Sequence, residues 1–284
     1  MKPASFAYYR PRRLGEMLDL LQEHGEDGKI LAGGQSLVPA MNFRLARPAH
    51  LFDLNDLAEL DFLRLGDGVL SIGALTRHAA FHNPAGETPL ARLLSEIVHH
   101  IAHEPIRNRG TFCGSLAHAD PASEWCLVAA TLDAEIVARS TSGERAIPAS
   151  AFFHGPFTTD LAAEEIITEV RLPIRNGNWR GGFYEFARRA GDFALAMALA
   201  AVRLENGTIA EARLGVGGVA GQPVRLEALE KQMIGAEPGA RLGAEIGAAA
   251  SAAIEPTDDI HASTEYRKDL IATVVKRALV RAFP

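Results

Sequence analysis

Ala32-Gly33-Gly34-Gln35-Ser36-Leu37 follows the apolar stretch Lys29-Ile30-Leu31, and Thr111-Phe112-Cys113-Gly114-Ser115-Leu116 stands about eighty residues further on. The second loop runs on through Ala117-His118-Ala119-Asp120-Pro121-Ala122-Ser123 to Glu124. Both loops are made of small residues, which let backbone N–H groups approach a phosphate with no side chain in the way. Two such loops from distant parts of one chain can grip opposite sides of a pyrophosphate, which points to a dinucleotide. Neither has the glycine spacing of a nicotinamide-type Rossmann turn or the Gly-Lys-Ser/Thr ending of an NTPase loop.

Outward from the loops, apolar spacing predicts a helix over Leu14 to His24, a short buried strand at Lys29 to Leu31 and a helix from Leu37 to Arg44, with Ser36 near its N-cap. Strands follow at Leu51 to Leu54 and Val69 to Ala74, and Thr76 is placed to cap a helix from Arg77 to Phe81. Leu90 to Ala102 reads as a helix, putting His99, His100 and His103 on adjacent turns, and Pro121 marks the start of another. Ala134 to Arg139 and Arg145 to Ile147 form a hairpin across a polar turn. Beyond the Pro173 to Gly182 boundary, strands at Gly182 to Arg188 and Arg203 to Gly217 flank an alanine-rich helix, with Asp192 as its N-cap. Ser263 caps a last amphipathic helix, Tyr266 to Arg281.

The chain has 284 residues and is 48% hydrophobic with 7% aromatics, enough for one large or two ordinary cores of closely packed elements. A net charge of −6 with no basic stripe argues against a nucleic-acid partner. Phe193 to Val202, the longest apolar run, is about half of the ~20 residues a membrane span requires. With no signal-like N-terminal stretch, the expected location is cytoplasmic. Cys113 and Cys126 then read as thiols, too few for an iron–sulfur cluster on this chain. Ten histidines without a zinc-binding spacing give no metal site. Arg107 and Arg109 are either a solvated pair or charge near a diphosphate or a partner, and Phe193 is either core or a ring over a cofactor. No nucleophile elbow surrounds Ser36 or Ser115, so no catalytic residue is assigned.

Five segments occur in a fixed order: the first loop, Ile106-Arg107-Asn108-Arg109-Gly110-Thr111, Cys113 to Glu124, Gly191-Asp192-Phe193-Ala194 and Glu265-Tyr266-Arg267-Lys268. In this the chain resembles, over essentially its full length, the medium FAD-binding subunit of the molybdenum hydroxylases. This is the carbon monoxide dehydrogenase and xanthine dehydrogenase family, and the likeness is greatest to the quinoline 2-oxidoreductase type. The resemblance implies an α+β architecture: a two-part FAD-binding domain of the vanillyl-alcohol-oxidase/xanthine-dehydrogenase type over 1–175, split near 55. A small α+β C-terminal domain would occupy 176–284.

It also implies non-covalent FAD. Leu31, Ala32, Gly33, Gly34, Gln35, Ser36 and Leu37 would wrap its diphosphate, and Thr111, Gly114 and Ser115 would close from the other side. Glu124 would accept ribose hydroxyls, Ile101 and Ile167 would line the flavin, and Phe193 would cover it beside Asp192. Arg188 or Arg189 would place a cation near the ring. Cys113 departs from the family's usual glycine, which at a positive φ would cost on the order of 1 kcal/mol. Phe186 or its neighbour stands where relatives carry a lysine.

The implied role is electron transfer from [2Fe–2S] clusters on a small subunit to an external acceptor, with molybdopterin on a large subunit. The complex would be a dimer of heterotrimers. A stand-alone FAD-dependent oxidoreductase of the same fold is the alternative, and an interaction protein that has lost FAD is a third reading.

Overall fold

A computed structural model describes residues 2–175 and 177–283, so Asn176 of the expected boundary segment lies outside the described residues. The first unit comprises β1 (Ala7–Tyr9), α1 (Leu14–His24), β2 (Gly28–Leu31), α2 (Leu37–Asn42) and β3 (His50–Asp53). β3 lies between β1 and β2 and is parallel to both. Parallel strands need crossover connections, and α1 and α2 supply them. Met17, Leu18 and Leu21 form the buried stripe of α1.

The second unit follows as β4 (Leu63–Gly66), β5 (Val69–Gly73), α3 (Pro89–Ile97), α4 (Glu104–Arg107), α5 (Phe112–His118) and α6 (Glu124–Thr131). Then come β6 (Glu135–Ser140), β7 (Gly143–Pro148), the two-stranded pair β8 (Phe153–Gly155) and β9 (Thr158–Thr159), and β10 (Ile166–Pro173). Its five-stranded antiparallel sheet has the order β4-β5-β10-β6-β7. Trp125, Phe112 and Phe81 are buried together in its core, with ring centroids 4.9 and 5.1 Å from the indole.

The third unit holds β11 (Trp179–Phe186), β12 (Ala196–Glu205), β13 (Thr208–Gly217), β14 (Val224–Arg225), α7 (Glu227–Met233), α8 (Ala240–Ala253) and α9 (Thr264–Ala282). Its strands pair in sequence order, all antiparallel. α9 starts as expected, with Ser263 Oγ accepting from Tyr266 N–H at 3.2 Å. It lies close on β11, because a Cβ on Gly182 would stand 2.2 Å from the Ala278 carbonyl oxygen.

The expected alanine helix is absent from this region. Ala196 to Glu205 is the strand β12, buried on both faces. Met197, Leu199 and Ala201 enter the core shared with the second unit, while Ala198, Ala200 and Val202 enter the core under α9. A strand buried on both sides has no polar alternation, so its sequence resembles a buried helix. Asp192 consequently caps nothing.

Other boundaries shift for local reasons. Thr76 donates its hydroxyl to the Phe62 carbonyl, and the turn after it, His78 to Phe81, is a short 3₁₀ segment with no side-chain cap. α6 begins at Glu124 rather than near Pro121, capped by Ser123. α3 ends at Ile97, so His99, His100 and His103 do not share a helix.

Candidate functional site

The first glycine loop leaves the carboxyl end of β2 and enters α2, beside the carboxyl end of β3. In parallel sheets that end is where ligand crevices form. A cavity of about 350 Å³ opens there, lined by Leu31, Gly33, Gln35, Asp53, Asn55 and Arg109 among others. Gly34 has a φ of +73°, a left-handed conformation that favours glycine. Gly33 is needed for a different reason. A Cβ there would meet the Arg109 carbonyl oxygen at 2.4 Å and Gly110 Cα at 2.5 Å, so the two loops touch backbone to backbone.

Among the described residues, the backbone N–H groups of Gly33, Gly34, Gln35 and Ser36 have no hydrogen-bond acceptor. Of these four consecutive amides without partners, three belong to residues that line the cavity, so their N–H groups are available to an acceptor there. Ser36 occupies the N-cap of α2 but its exposed side chain makes no capping bond. Arg109 brings a cation to the same wall.

The second loop is organised differently. Thr111 Oγ1 accepts from Gly114 N–H at 3.1 Å, Ser115 N–H donates to the Thr111 carbonyl at 3.1 Å, and the Ser115 hydroxyl donates to it at 3.4 Å. These groups form the first turn of α5, and none of the three residues lines the cavity. Beneath the loop, Trp125 Nε1–H donates to His78 Nδ1 at 2.9 Å. Burial pushes the His78 pKa down to about 4, so the ring is neutral and accepts this bond. Gly110 fits against the other edge of that imidazole.

Cys113 lies within α5, outside the left-handed region, so the strain considered for a side chain there does not arise. Its buried thiol donates to the Ile72 and Gly73 carbonyls.

The remaining candidates lie elsewhere around the second unit. Ile101 and Ile167 are buried in its core. Arg107 is half-buried and does not line the cavity. It donates to the Ile101 carbonyl at 2.9 Å, the Ala102 carbonyl at 2.8 Å and His82 Nε2 at 3.0 Å, holding that turn in place. Gly191, at φ +84°, fits against His103 and the Ala102 carbonyl. The turn carrying Arg188, Asp192 and Phe193 is thereby brought beside the Ile101 turn. Phe193 is 76% exposed and belongs to neither core, while Arg188 donates to the His261 carbonyl at 2.6 Å.

Glu124, the first residue of α6, faces Glu185 of β11. Burial raises the pKa of both carboxyls. The charge of Glu124 raises Glu185 further, and Asp120 adds to the rise at Glu124. Both carboxyls therefore keep their protons to higher pH than ordinary carboxylates, Glu185 the more so. Neither lines the cavity beside the first loop.

Asp53, Asn55 and Arg77 were not singled out from the sequence. Asp53 is only 7% exposed and accepts from the Tyr8 hydroxyl and from Asn55. The available signal was an Asp-Leu-Asn that closes the strand β3 and leads out of it, at the ligand end of a parallel sheet. Among the described residues, no histidine, cysteine and acid cluster suits a metal ion, and no helix is long and apolar enough to cross a membrane.

Residues 4–175 match the family described as the FAD binding domain in molybdopterin dehydrogenase, and residues 182–282 match the CO dehydrogenase flavoprotein C-terminal domain. The alpha subunit of the 6-hydroxypseudooxynicotine dehydrogenase complex of Paenarthrobacter nicotinovorans is 40% identical, covering 99% of this chain and 96% of that one. A carbon monoxide dehydrogenase structure from Hydrogenophaga pseudoflava superposes with a TM-score of 0.92 at 32% identity, covering 99% of this chain and 98% of that chain. Quinoline 2-oxidoreductase from Pseudomonas putida 86 gives 0.91 at 35%, with the same coverage.

Proposed function

The chain belongs to the FAD-binding medium subunits of the molybdenum hydroxylase-type dehydrogenases, and from that premise we propose that it is their electron-transfer station. It is a component of an oxidoreductase, and FAD is its cofactor. In the finer reading, FAD is held without a covalent bond. Electrons arrive from [2Fe–2S] clusters on a small partner chain and leave to an external acceptor. A large molybdopterin-binding chain oxidises the substrate, and two heterotrimers pair.

The observation that carries this reading is the run of four unpartnered amides from Gly33 to Ser36 at an open cavity that Arg109 also lines. Consecutive donors without acceptors of their own suit a diphosphate, and the loops leave no room for a Cβ at Gly33. Leu31, Ala32 and Leu37 would flank the diphosphate, and the Ser36 hydroxyl would donate to it. Thr111, Gly114 and Ser115 would form the rigid wall behind. Glu124, with its proton-bearing partner Glu185, would meet ribose or ribityl hydroxyls. Ile101 and Ile167 would supply apolar surface beneath the ring system, and Phe193, with Asp192, would cover it. Arg188 would lend positive charge to the ring edge. The units would divide as 1–175, itself split near 55, and 176–284.

FAD, when bound, takes up electrons one or two at a time and returns them to another acceptor. The protein's part is to hold it, orient it and set its electrostatic surroundings.

Purification through a tag on this chain, co-expressed with its neighbouring reading frames, tests the reading. A complex containing flavin, molybdenum and iron–sulfur, whose flavin absorption bleaches when the clusters are reduced, supports it. A chain that purifies alone and turns over a reduced nicotinamide by itself refutes it in favour of a stand-alone flavoenzyme.

A further inference from the structure

The two glycine loops belong to different sheets, yet one chain of side-chain hydrogen bonds joins them. Arg77, just before the 3₁₀ turn, donates from one guanidinium nitrogen to the Arg109 carbonyl of the second loop. Its other terminal nitrogen donates to Asn55 Oδ1. Asn55 Nδ2 in turn donates to the Ala32 carbonyl of the first loop at 3.0 Å. The amide cannot be turned over. Its Nδ2 also faces Asp53 Oδ1, and its Oδ1 faces a guanidinium, so the reverse orientation would oppose donor to donor and acceptor to acceptor. Asp53 is itself held by the Tyr8 hydroxyl and by Asn55 N–H.

The backbone reinforces this link on the second-loop side. Arg77 bridges Thr111 as an isolated antiparallel pair, His78 N–H donates to the Gly110 carbonyl at 2.9 Å and Phe112 N–H donates to the Thr76 carbonyl at 3.1 Å. On the first-loop side, Asn55 is the side chain that carries the connection. Asn55 lines the cavity, and the Ala32 peptide it holds leads directly into the unpartnered amides. Among the described residues, both terminal guanidinium nitrogens of Arg77 donate across the gap between the loops.

We propose that Arg77 and Asn55 form a clasp that sets the separation of the two glycine loops, and that they are positioning residues for the FAD diphosphate. This rests on the assignment of FAD to that cavity. The planar guanidinium is suited to the task because one rigid fork reaches two acceptors at once, which an ammonium cannot do with the same geometry. Releasing the clasp lets the first loop drift from the second and misaligns amides that otherwise converge on the phosphates.

The test uses the full chain, freed of flavin and titrated with FAD and with FMN while flavin fluorescence is followed. Arg77→Met, Arg77→Lys and Asn55→Ala are compared with the wild type, and thermal midpoints of the flavin-free proteins report folding. Loss of one charge-assisted hydrogen bond corresponds to about a tenfold to hundredfold weakening of FAD binding. That loss is expected in all three variants, with FMN affinity changed much less because it lacks the second phosphate and adenosine. Arg77→Lys, which keeps the charge, is expected not to rescue.

Full rescue by Arg77→Lys overturns the clasp, because charge alone would then suffice. Wild-type FAD affinity in Asn55→Ala overturns it as well. A variant whose affinity for FAD and FMN falls equally, in step with its thermal midpoint, also counts against it, since that is the mark of a merely structural residue. A wild-type chain that binds no FAD would instead refute the cofactor assignment, and the clasp with it.

Discussion

Replacing Gly33 by alanine adds one methyl group at the seam between the loops. It would stand 2.4 Å from the Arg109 carbonyl oxygen, 2.5 Å from Gly110 Cα and 2.9 Å from the Arg109 carbonyl carbon. All three are backbone atoms, and neither residue can swing aside: Arg109 is bonded to Arg77, and Gly110 fits against His78. Ordinary contact requires the loops to part by about 1 Å. That would stretch a hydrogen bond of about 2.9 Å to about 3.9 Å, beyond useful range. Each amide-to-phosphate bond is worth about 1.5–3 kcal/mol, so losing two weakens FAD binding by about a hundredfold to ten-thousandfold.

Gly33 has no positive φ, so the substitution tests close approach rather than backbone strain. Gly34→Ala makes the contrast. At φ +73° it costs on the order of 1 kcal/mol, but its Cβ would meet only the Leu31 and Val38 side-chain ends at 3.0 and 3.3 Å. The assay is titration of the flavin-free chain with FAD, with circular dichroism to verify the fold. A folded Gly33→Ala protein that binds FAD with the wild-type constant would refute the apposed-loop site.

The half-buried Glu124–Glu185 pair predicts a pH-dependent stability. Because both folded pKa values are raised, to about 7 and about 9, the native chain keeps protons that the unfolded chain releases in the ordinary carboxylate range, so stability falls as pH rises from about 4.5 to about 9. Glu185→Gln flattens that slope and raises the urea midpoint at the alkaline end; an unchanged slope would contradict the raised pKa of Glu185. Asp133 accepts from Arg175, Arg213 and Arg225, fastening the second unit to the third. Burial alone would raise its pKa, but the hydrogen bonds and charges of Arg213 and Arg225 outweigh that and lower it. Its contribution is therefore present at neutral pH and fades as pH falls below about 4. Asp133→Asn should lower stability at pH 7 by about 1–2 kcal/mol, allowing for solvent screening of the partly exposed carboxylate, and unfolding curves that match the wild type would exclude the latch. Burial also raises both thiols, Cys126 to about 12 and Cys113 further, so a maleimide should label neither in the folded chain and both in denaturant. Rapid labelling of the native protein would show that α5 and α6 open.

The parts of this fold legible in the sequence are those set by local rules. The two glycine loops, the β6–β7 hairpin and the Ser263-capped final helix follow from turn residues, alternation and capping within a few positions. β12 was not legible, because Met197 and Ala198 face different cores and both are apolar. The clasp was hidden for another reason. Asn55 lies 23 residues from Ala32, and Arg77 lies 32 from Arg109, so only the folded chain brings these donors to their carbonyls. Arg107 resisted a decision between solvation and phosphate contact because its actual partners, the Ile101 and Ala102 carbonyls, are backbone groups that sequence pattern does not mark.

The most direct test of the central claim is the visible absorption spectrum of the purified full chain, followed by acid precipitation and identification of what is released. A flavin spectrum with soluble FAD, one per chain, is the predicted result. A colourless chain that takes up no added FAD would contradict the account, and flavin that stays with the precipitate would contradict its non-covalent site.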